Sequence, residues 1–555
     1  MRLDLRPPRH VPLGLEDDPL ARANSIERAT WAFIGLGVAV RLVTYAMHFP
    51  LWGDEAFVAA NFLSKGYLDL LQPLDYGQIC PLLFLWIELT AVKLFGFNEW
   101  SLRLFPTLCS VASVFLFAHV TRRLFRGIPA LLAVAIFSVA FYPIRHGAEV
   151  KPYISDLLVA LTLLALAIEW WRAPERTGWL WLLAGFVPVA LALSYPAVFF
   201  AGGVSLGLST LVRKYRRQGA LIPFAGYNLA LVCTFLGLFL MFTRGQMETA
   251  GETLRTNYWA GHFPPLREPL KLVVWLLDAH TGRMFAYPFG GDRGASAFTT
   301  FCFLTALVRL IRRRERELVV MALGPFALAF FASIFERYPY GGSARTMLFV
   351  APTICLLTAL GISRLIAYLP GIEPRRRALY VTLLILAGSG IGQLTYNVAH
   401  PYKKRTDEES RLFARWFWSD QAKDAELVCL KEDMKTVLNP RHWRLFRSAL
   451  YLCNQRIYSP RHKNQIEADW NAVSPRRPLR CVLYNEGTEA NPAVAAWLER
   501  MRNDFELKKR QTFVVNEGDG PEGRNDEDRY AVYDFIPKDS GQQAWREESF
   551  DVFRR

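Results

Sequence analysis

Little in this 555-residue chain would support metal or redox chemistry: none of its eight cysteines forms a CxxC pair, and no Cys/His spacing suits zinc. Internal repeats are absent, so the paired halves of many transporters are missing as well. No cleavable leader is visible either, because residues 1–28 are polar and charged and no small-residue cleavage site follows the first apolar run. That run is expected to stay as a membrane anchor. Acid does not balance base either: 65 Lys and Arg stand against 50 Asp and Glu, a formal charge of +15. This excess does not point to nucleic acid, since many of the basic residues sit in short loops between apolar runs and read as topology signals.

What the chain has in plenty is apolar length. Runs such as WAFIGLGVAV, VASVFLFAHV, LTLLALAIEW and VMALGPFALAFFASIF reach or approach the roughly 20 residues that a helix needs to cross a bilayer. They recur as far as residue 400 and then stop. Beyond it apolar runs shrink to strand length, charge becomes dense, and Gly, Asn and Pro punctuate the chain. The expected fold class is therefore mainly α, a polytopic membrane protein with about eleven transmembrane helices plus juxtamembrane helices, followed by a small C-terminal α/β soluble domain. The expected domains are a tail at 1–28, a membrane domain at 29–400 and the soluble domain at 401–555.

Orientation follows from four basic clusters: TRRLFRG (Arg122, Arg123, Arg126), RKYRR (213–217), IRRRERE (from Arg312) and EPRRR (Arg375 to Arg377). Basic short loops stay cytoplasmic. All four share one side only if Pro81 to Phe97, a marginal segment carrying Glu88 and Lys93, lies along the interface instead of crossing. The N-terminus is then cytoplasmic, and the C-terminal domain lies outside. Four connections also fall outside: Leu51 to Trp100, Arg145 to Tyr153, Thr243 to about Ser296, and Glu336 to Arg345. The stretch AGSGIG near the last span reads as close helix packing.

The candidate chemistry gathers in those outer connections. In LWGDEAFVAANFL, Asp54 and Glu55 stand just past the first span, where a carboxylate at the water–lipid boundary can take a proton from a hydroxyl; the plainer alternative is a solvated acidic helix end. YPIRHGAEVKPYISD concentrates Arg145, His146, Glu149, Lys151 and Tyr153 in one short outer loop. Basic residues are disfavoured there, and a phosphate-bearing ligand held by Arg145 and Lys151 would account for them; pairing of Glu149 with either cation is the alternative. Asp156, one turn into the next helix, is either a partner for these cations or a second acid. In ERYPYGGSARTMLFVAP, the Gly and Pro residues shape a tight path past Tyr340 to Arg345, which sits at headgroup depth where a guanidinium can grip a phosphate in bidentate fashion or snorkel to lipid. Arg41, inside the first span, reads as structural pairing. The apolar stretch from Leu270 is too short to span and is expected at the interface, with His262 and His280 as ordinary polar neighbours.

Together these residues resemble the GT-C membrane glycosyltransferases, the group of protein O-mannosyltransferases and aminoarabinose transferases. The resemblance rests on WGDEAF, then Pro81 opening ICPLLFLWIELTAVKLFGFNEWSLRLFPTL with Arg103 and Pro106, then RRLFRG, and covers about residues 30 to 200. It implies an inverting transfer of a hexose or pentose from a polyprenyl-phosphate donor at the outer face of a plasma (inner) membrane. Asp54 would be the base or acceptor-orienting carboxylate, supported by Glu55, and Arg345 is similar to the family's phosphate-contacting arginine. The second outer loop departs from the pattern, so its acidic role stays open between Glu149 and Asp156. Some relatives bind a divalent metal ion and others do not, which leaves the cofactor open. The implied partners are the lipid-linked donor, the bilayer and a protein, lipid or glycan acceptor, with no nucleic acid. Two rival readings are a flippase for lipid-linked sugars, which would place charges at mid-membrane, and a non-enzymatic envelope scaffold, to which loss of Asp54 would be harmless. In the tail, AELVCLKEDM, YLCNQRIYSP, RPLRCVLYNEG, KKRQTFVVNE and DRYAVYDFIP read as strands and Asn491 to Phe505 as a helix. Cys429, Cys453 and Cys481 are expected as buried hydrophobes, and one disulfide among them is left open.

Overall fold

A computed structural model of the chain describes residues 23–403, 407–408, 411, 426–430, 478–484, 492–516 and 527–538. Its described residues form two compact units, one running to Phe49 and resuming over Lys65–Pro401, the other comprising Pro50–Ser64 and the part from Tyr402 on.

The first unit is helical: α1 (Ala23–Ala46), α3 (Leu82–Phe95), α4 (Glu99–Leu124), α5 (Ile128–Ser138), the short α6 (Phe141–Arg145), α7 (Tyr153–Arg172), α8 (Gly178–Leu193), α9 (Ala197–Lys214), α10 (Leu221–Leu238), α11 (Arg244–Thr253), α12 (Pro269–Thr281), α13 (Ala297–Arg312), α14 (Arg316–Ile334), α15 (Ala351–Tyr368) and α16 (Ile372–Ala399). Among the described residues seven helical stretches are long and apolar enough to cross a membrane: α1, α4, α7, Leu221–Glu252, α14, Leu348–Tyr368 and α16. Helices α5 and α8 are apolar but shorter, so seven candidate spans stand where about eleven were expected. Helix α3 is 14 residues long, about 21 Å at 1.5 Å per residue, well short of the hydrocarbon thickness. It ends at Gly96, whose φ of 80° suits glycine, and Asn98 then caps α4 by accepting from the Ser101 amide at 2.9 Å.

Between apolar helices in lipid there is little hydrophobic drive, so close packing must hold them together. At the α9–α14 contact, a Cβ on Gly203 would lie 2.5 Å from Pro325 Cδ, which only a glycine permits. Arg41, fully buried, is satisfied within the bundle: its guanidinium donates to the Gly37 carbonyl (2.8 Å), the Ser138 carbonyl (2.8 Å) and Ser110 Oγ (3.0 Å), joining α1, α4 and α5. Arg103 of α4 donates to the Phe49 carbonyl and so fixes the end of the first helix.

The second unit contains α2 (Gly53–Ser64), β1 (Glu426–Leu430), β2 (Leu479–Tyr484), α17 (Pro492–Asp504), β3 (Phe505–Asn516) and β4 (Glu527–Pro537). The strands form one sheet in the order β1-β2-β4-β3, with β1 and β2 parallel and the other pairs antiparallel. Its described core is built from Met501, Phe505, Val532 and Phe535. Four of the five expected strands and the expected helix are present; the fifth, YLCNQRIYSP with Cys453, lies outside the described residues. Cys429 lies in β1 and Cys481 in β2.

Candidate active site

The acidic pair opens α2, so Asp54 and Glu55 occupy the first turn, where free amides and the helix dipole favour carboxylates. The two differ in surroundings. Glu55 is fully buried: its Oε2 accepts the Trp52 amide at 3.2 Å and lies 3.8 Å from Lys403 Nζ, whose ammonium also covers the Trp52 ring at 5.7 Å. Asp54 is only half-buried. Glu55 thus serves the local structure and Asp54 keeps a face toward solvent. Lys403 was not singled out from the sequence, because nothing in PYKKRTD relates it to a residue 348 positions earlier.

In the first unit the second loop is tightly organised. His146 Nδ1 lies 2.8 Å from Glu149 Oε2, and both residues are buried, so Glu149 takes His146 as partner. Lys151, also buried, donates to Gln78 Oε1 at 2.7 Å. Gln78 is held in place because Cys80, two residues on, is locked to α11: the Cys80 amide donates to Gln246 Oε1 at 3.2 Å, and Tyr195 Oη donates to the Cys80 carbonyl at 2.9 Å. Arg145 is exposed and stands 5.8 Å from the Phe141 ring. The Tyr153 ring meets His146 edge-on at 5.6 Å. Asp156 is buried in the first turn of α7, and its Oδ1 accepts no hydrogen bond from the described residues; Ser194 lies beside it, but its hydroxyl does not reach hydrogen-bond geometry. A buried carboxylate with spare acceptor capacity at a membrane helix end marks a functional position.

The 336–345 loop folds against the same region. Tyr340 donates its amide to the His262 carbonyl (3.0 Å), and its hydroxyl lies 3.0 Å from His280 Nε2 on α12. Gly341 has φ of 74°, and Gly342 faces the His262 ring with no room for a side chain. The loop then delivers Arg345, half-buried, to 5.8 Å above the Tyr153 ring. Loops two and four therefore meet at Tyr153. The phenol of Tyr338 shows the same proximity: burial pushes it well above its ordinary range, and the nearby Asp156 and Tyr153 push it further.

Arg283, after α12, joins this group although the sequence reading passed over it. It pairs with Asp292, and it lies close enough to Arg345 and Tyr142 to act on both charges. Burial, then Arg283 and Arg345, hold the His262 imidazolium below the ordinary histidine range. Burial raises the Tyr142 phenol, while the Gly291 amide, which donates to its oxygen at 3.3 Å, and the neighbouring Arg283 and Arg145 act against that rise. Arg283 thus acts on both Tyr142 and His262, with Arg145 near Tyr142 and Arg345 near His262. The argument that singled out Arg145, a cation in a connection where cations are disfavoured, applies equally to Arg283. Among the described residues no group of three or more His, Cys, Asp or Glu could hold a metal ion.

Residues 80–238 match the family model of dolichyl-phosphate-mannose-protein mannosyltransferases. Among solved structures, ArnT from Cupriavidus metallidurans bound to undecaprenyl phosphate superposes with a TM-score of 0.52 at 13% identity, covering 90% of this chain and 97% of that one. Its apo form gives 0.51 at 15% identity, covering 91% and 98%. The chain has the GT-C fold. No curated protein sequence matches it. The GT-C resemblance is met, and the GT-C fold accounts for the membrane helices.

Proposed function

We propose that this GT-C chain transfers a sugar from a polyprenyl-phosphate carrier to an acceptor hydroxyl, with inversion, at the outer face of a plasma membrane. The observation that carries this reading is Arg345 brought over Tyr153 of the second loop, with Arg283 near it, in a chain of this fold. Guanidiniums suit a phosphate better than a neutral sugar, because each offers paired donors to its oxygens.

In the proposed step the acceptor oxygen attacks the anomeric carbon, and the bond from that carbon to the phosphate oxygen breaks. The lipid phosphate leaves with the bonding pair, and the acceptor proton passes to Asp54. Negative charge grows on the leaving phosphate, where Arg145, Arg345 and Lys151 stabilise it, with Arg283 beside them. Glu55, held by Lys403, keeps the helix start in place for Asp54. His146 and Glu149 brace the second loop, Tyr153 and Tyr340 set Arg345, and Asp156 is a second carboxylate behind Tyr338. The N-terminus is cytoplasmic in this reading, and the C-terminal sheet extracytoplasmic.

The test is transfer of radiolabelled sugar from polyprenyl-phosphate donors in membranes expressing the native chain, Asp54→Asn or Arg345→Ala at matched levels. Activity should vanish in Asp54→Asn and fall on the order of 10²- to 10³-fold in Arg345→Ala. Native-rate transfer by Asp54→Asn would remove it as the base, and lipid-linked sugar crossing vesicles with no transfer would favour the flippase reading.

A further inference from the structure

Burying an ammonium is costly unless an anion meets it, and Lys151 is buried. Among the described residues no carboxylate pairs with it. Its ammonium donates to the neutral Gln78 Oε1 at 2.7 Å, while Glu149, close by in sequence, is taken by His146, and Asp75, close to Gln78, by Lys65. A neutral acceptor orients the ammonium, uses one of its three protons and leaves its charge uncompensated. Gln78 itself is firmly placed. Its backbone is extended (φ −93°, ψ 148°), and the Cys80 peptide that follows is gripped on both its polar groups. Gln246, fully buried on α11, accepts from the Cys80 amide at 3.2 Å and donates to the Cys80 carbonyl at 3.3 Å, a two-way pairing that a carboxamide can supply. Tyr195 Oη lies 2.9 Å from that carbonyl and 2.8 Å from Gln246 Oε1. Gln246 stands between two π-helical turns, Phe239–Thr243 and Leu254–Tyr258, a distortion of the helix that recurs at functional sites.

We propose that Gln78, clamped through Cys80 by Gln246, is a positioning residue that presents Lys151 as an uncompensated cation to the phosphate of the lipid-linked donor. The inference rests on the transfer reading for the identity of that phosphate. Its own content is that the partner of Lys151 has to be neutral. A carboxylate in place of the Gln78 amide would hold the ammonium at least as firmly, but it would cancel the charge that the phosphate needs. The clamp acts at a distance: Gln246 touches neither Lys151 nor donor, and it fixes the backbone from which Gln78 reaches the ammonium.

The experiment titrates undecaprenyl phosphate against the full chain in phosphatidylcholine nanodiscs, with thermal unfolding of each variant measured alongside. The native chain should bind, and Lys151→Gln should bind about tenfold or more weakly. Gln78→Glu separates positioning from mere support. It should unfold at or above the native temperature, because the new carboxylate pairs with Lys151, and yet bind about as weakly as Lys151→Gln. Gln246→Leu should weaken binding in the native background and add little to the loss in Lys151→Gln, since the clamp works through the lysine. Native-level binding by Gln78→Glu, weak binding by it together with a lowered unfolding temperature, or additive losses in Gln246→Leu/Lys151→Gln overturns this inference alone. A native chain that does not bind undecaprenyl phosphate overturns the transfer reading with it.

Discussion

Gly341 is an exacting position in the loop that carries Arg345. A Cβ there would stand 2.6 Å from Ala279 Cβ and 3.2 Å from Ala279 Cα, on a backbone whose φ is 74°. Gly341→Ala therefore brings two penalties. The left-handed conformation costs about 1–2 kcal/mol for a residue with a Cβ, and the contact must open by roughly 1 Å to reach the 3.5 Å of ordinary carbon contact. Tyr340 is tied to His262 and His280, so the shift passes forward along the loop toward Arg345. A displacement of about 1 Å at a positioning group lowers rate on the order of 100-fold. Ala279→Gly removes the clash but not the strain. The double variant should recover most of the transfer activity of Ala279→Gly alone while staying about 1–2 kcal/mol less stable than it. Sugar transfer and thermal unfolding in matched membranes measure the two quantities. A Gly341→Ala chain with native activity, or a double variant no more active than Gly341→Ala, would refute this account of the loop.

Glu55→Gln and Lys403→Met should each destabilise the chain by about 1–3 kcal/mol, and the double variant by less than their sum, because each single change strands a buried partner; thermal unfolding of the cycle reads this. Arg283→Gln should weaken donor binding about tenfold or more and raise KM more than it lowers kcat, checked by donor titration. His262 is held below the ordinary histidine range by burial, Arg283 and Arg345, and His280 by burial. The unfolded chain then takes up more protons as pH falls, so stability should be level above about pH 6.5 and decline below it. Unfolding measured on either side of that pH should show the decline, and His262→Gln/His280→Gln should flatten it.

Apolar length and basic loops are local properties, and they sufficed for the polytopic helical class and for the described strands and helix of the tail. Two glycines before Arg345 marked a tight loop, but not what pressed on it. The spacing of Glu149 from Arg145 and Lys151 left its partner open, and folding chose His146, three residues back along the same loop. Lys151 found Gln78 and Glu55 found Lys403, both far along the chain. Arg283 drew no notice until α12 carried it beside Tyr142 and His262. Composition and periodicity determine which segments enter the bilayer, since each segment meets lipid or water largely on its own. Which charges share a place is decided by helix packing and loop closure, where residues distant in sequence come within a few ångströms, and that information resides only in the tertiary structure.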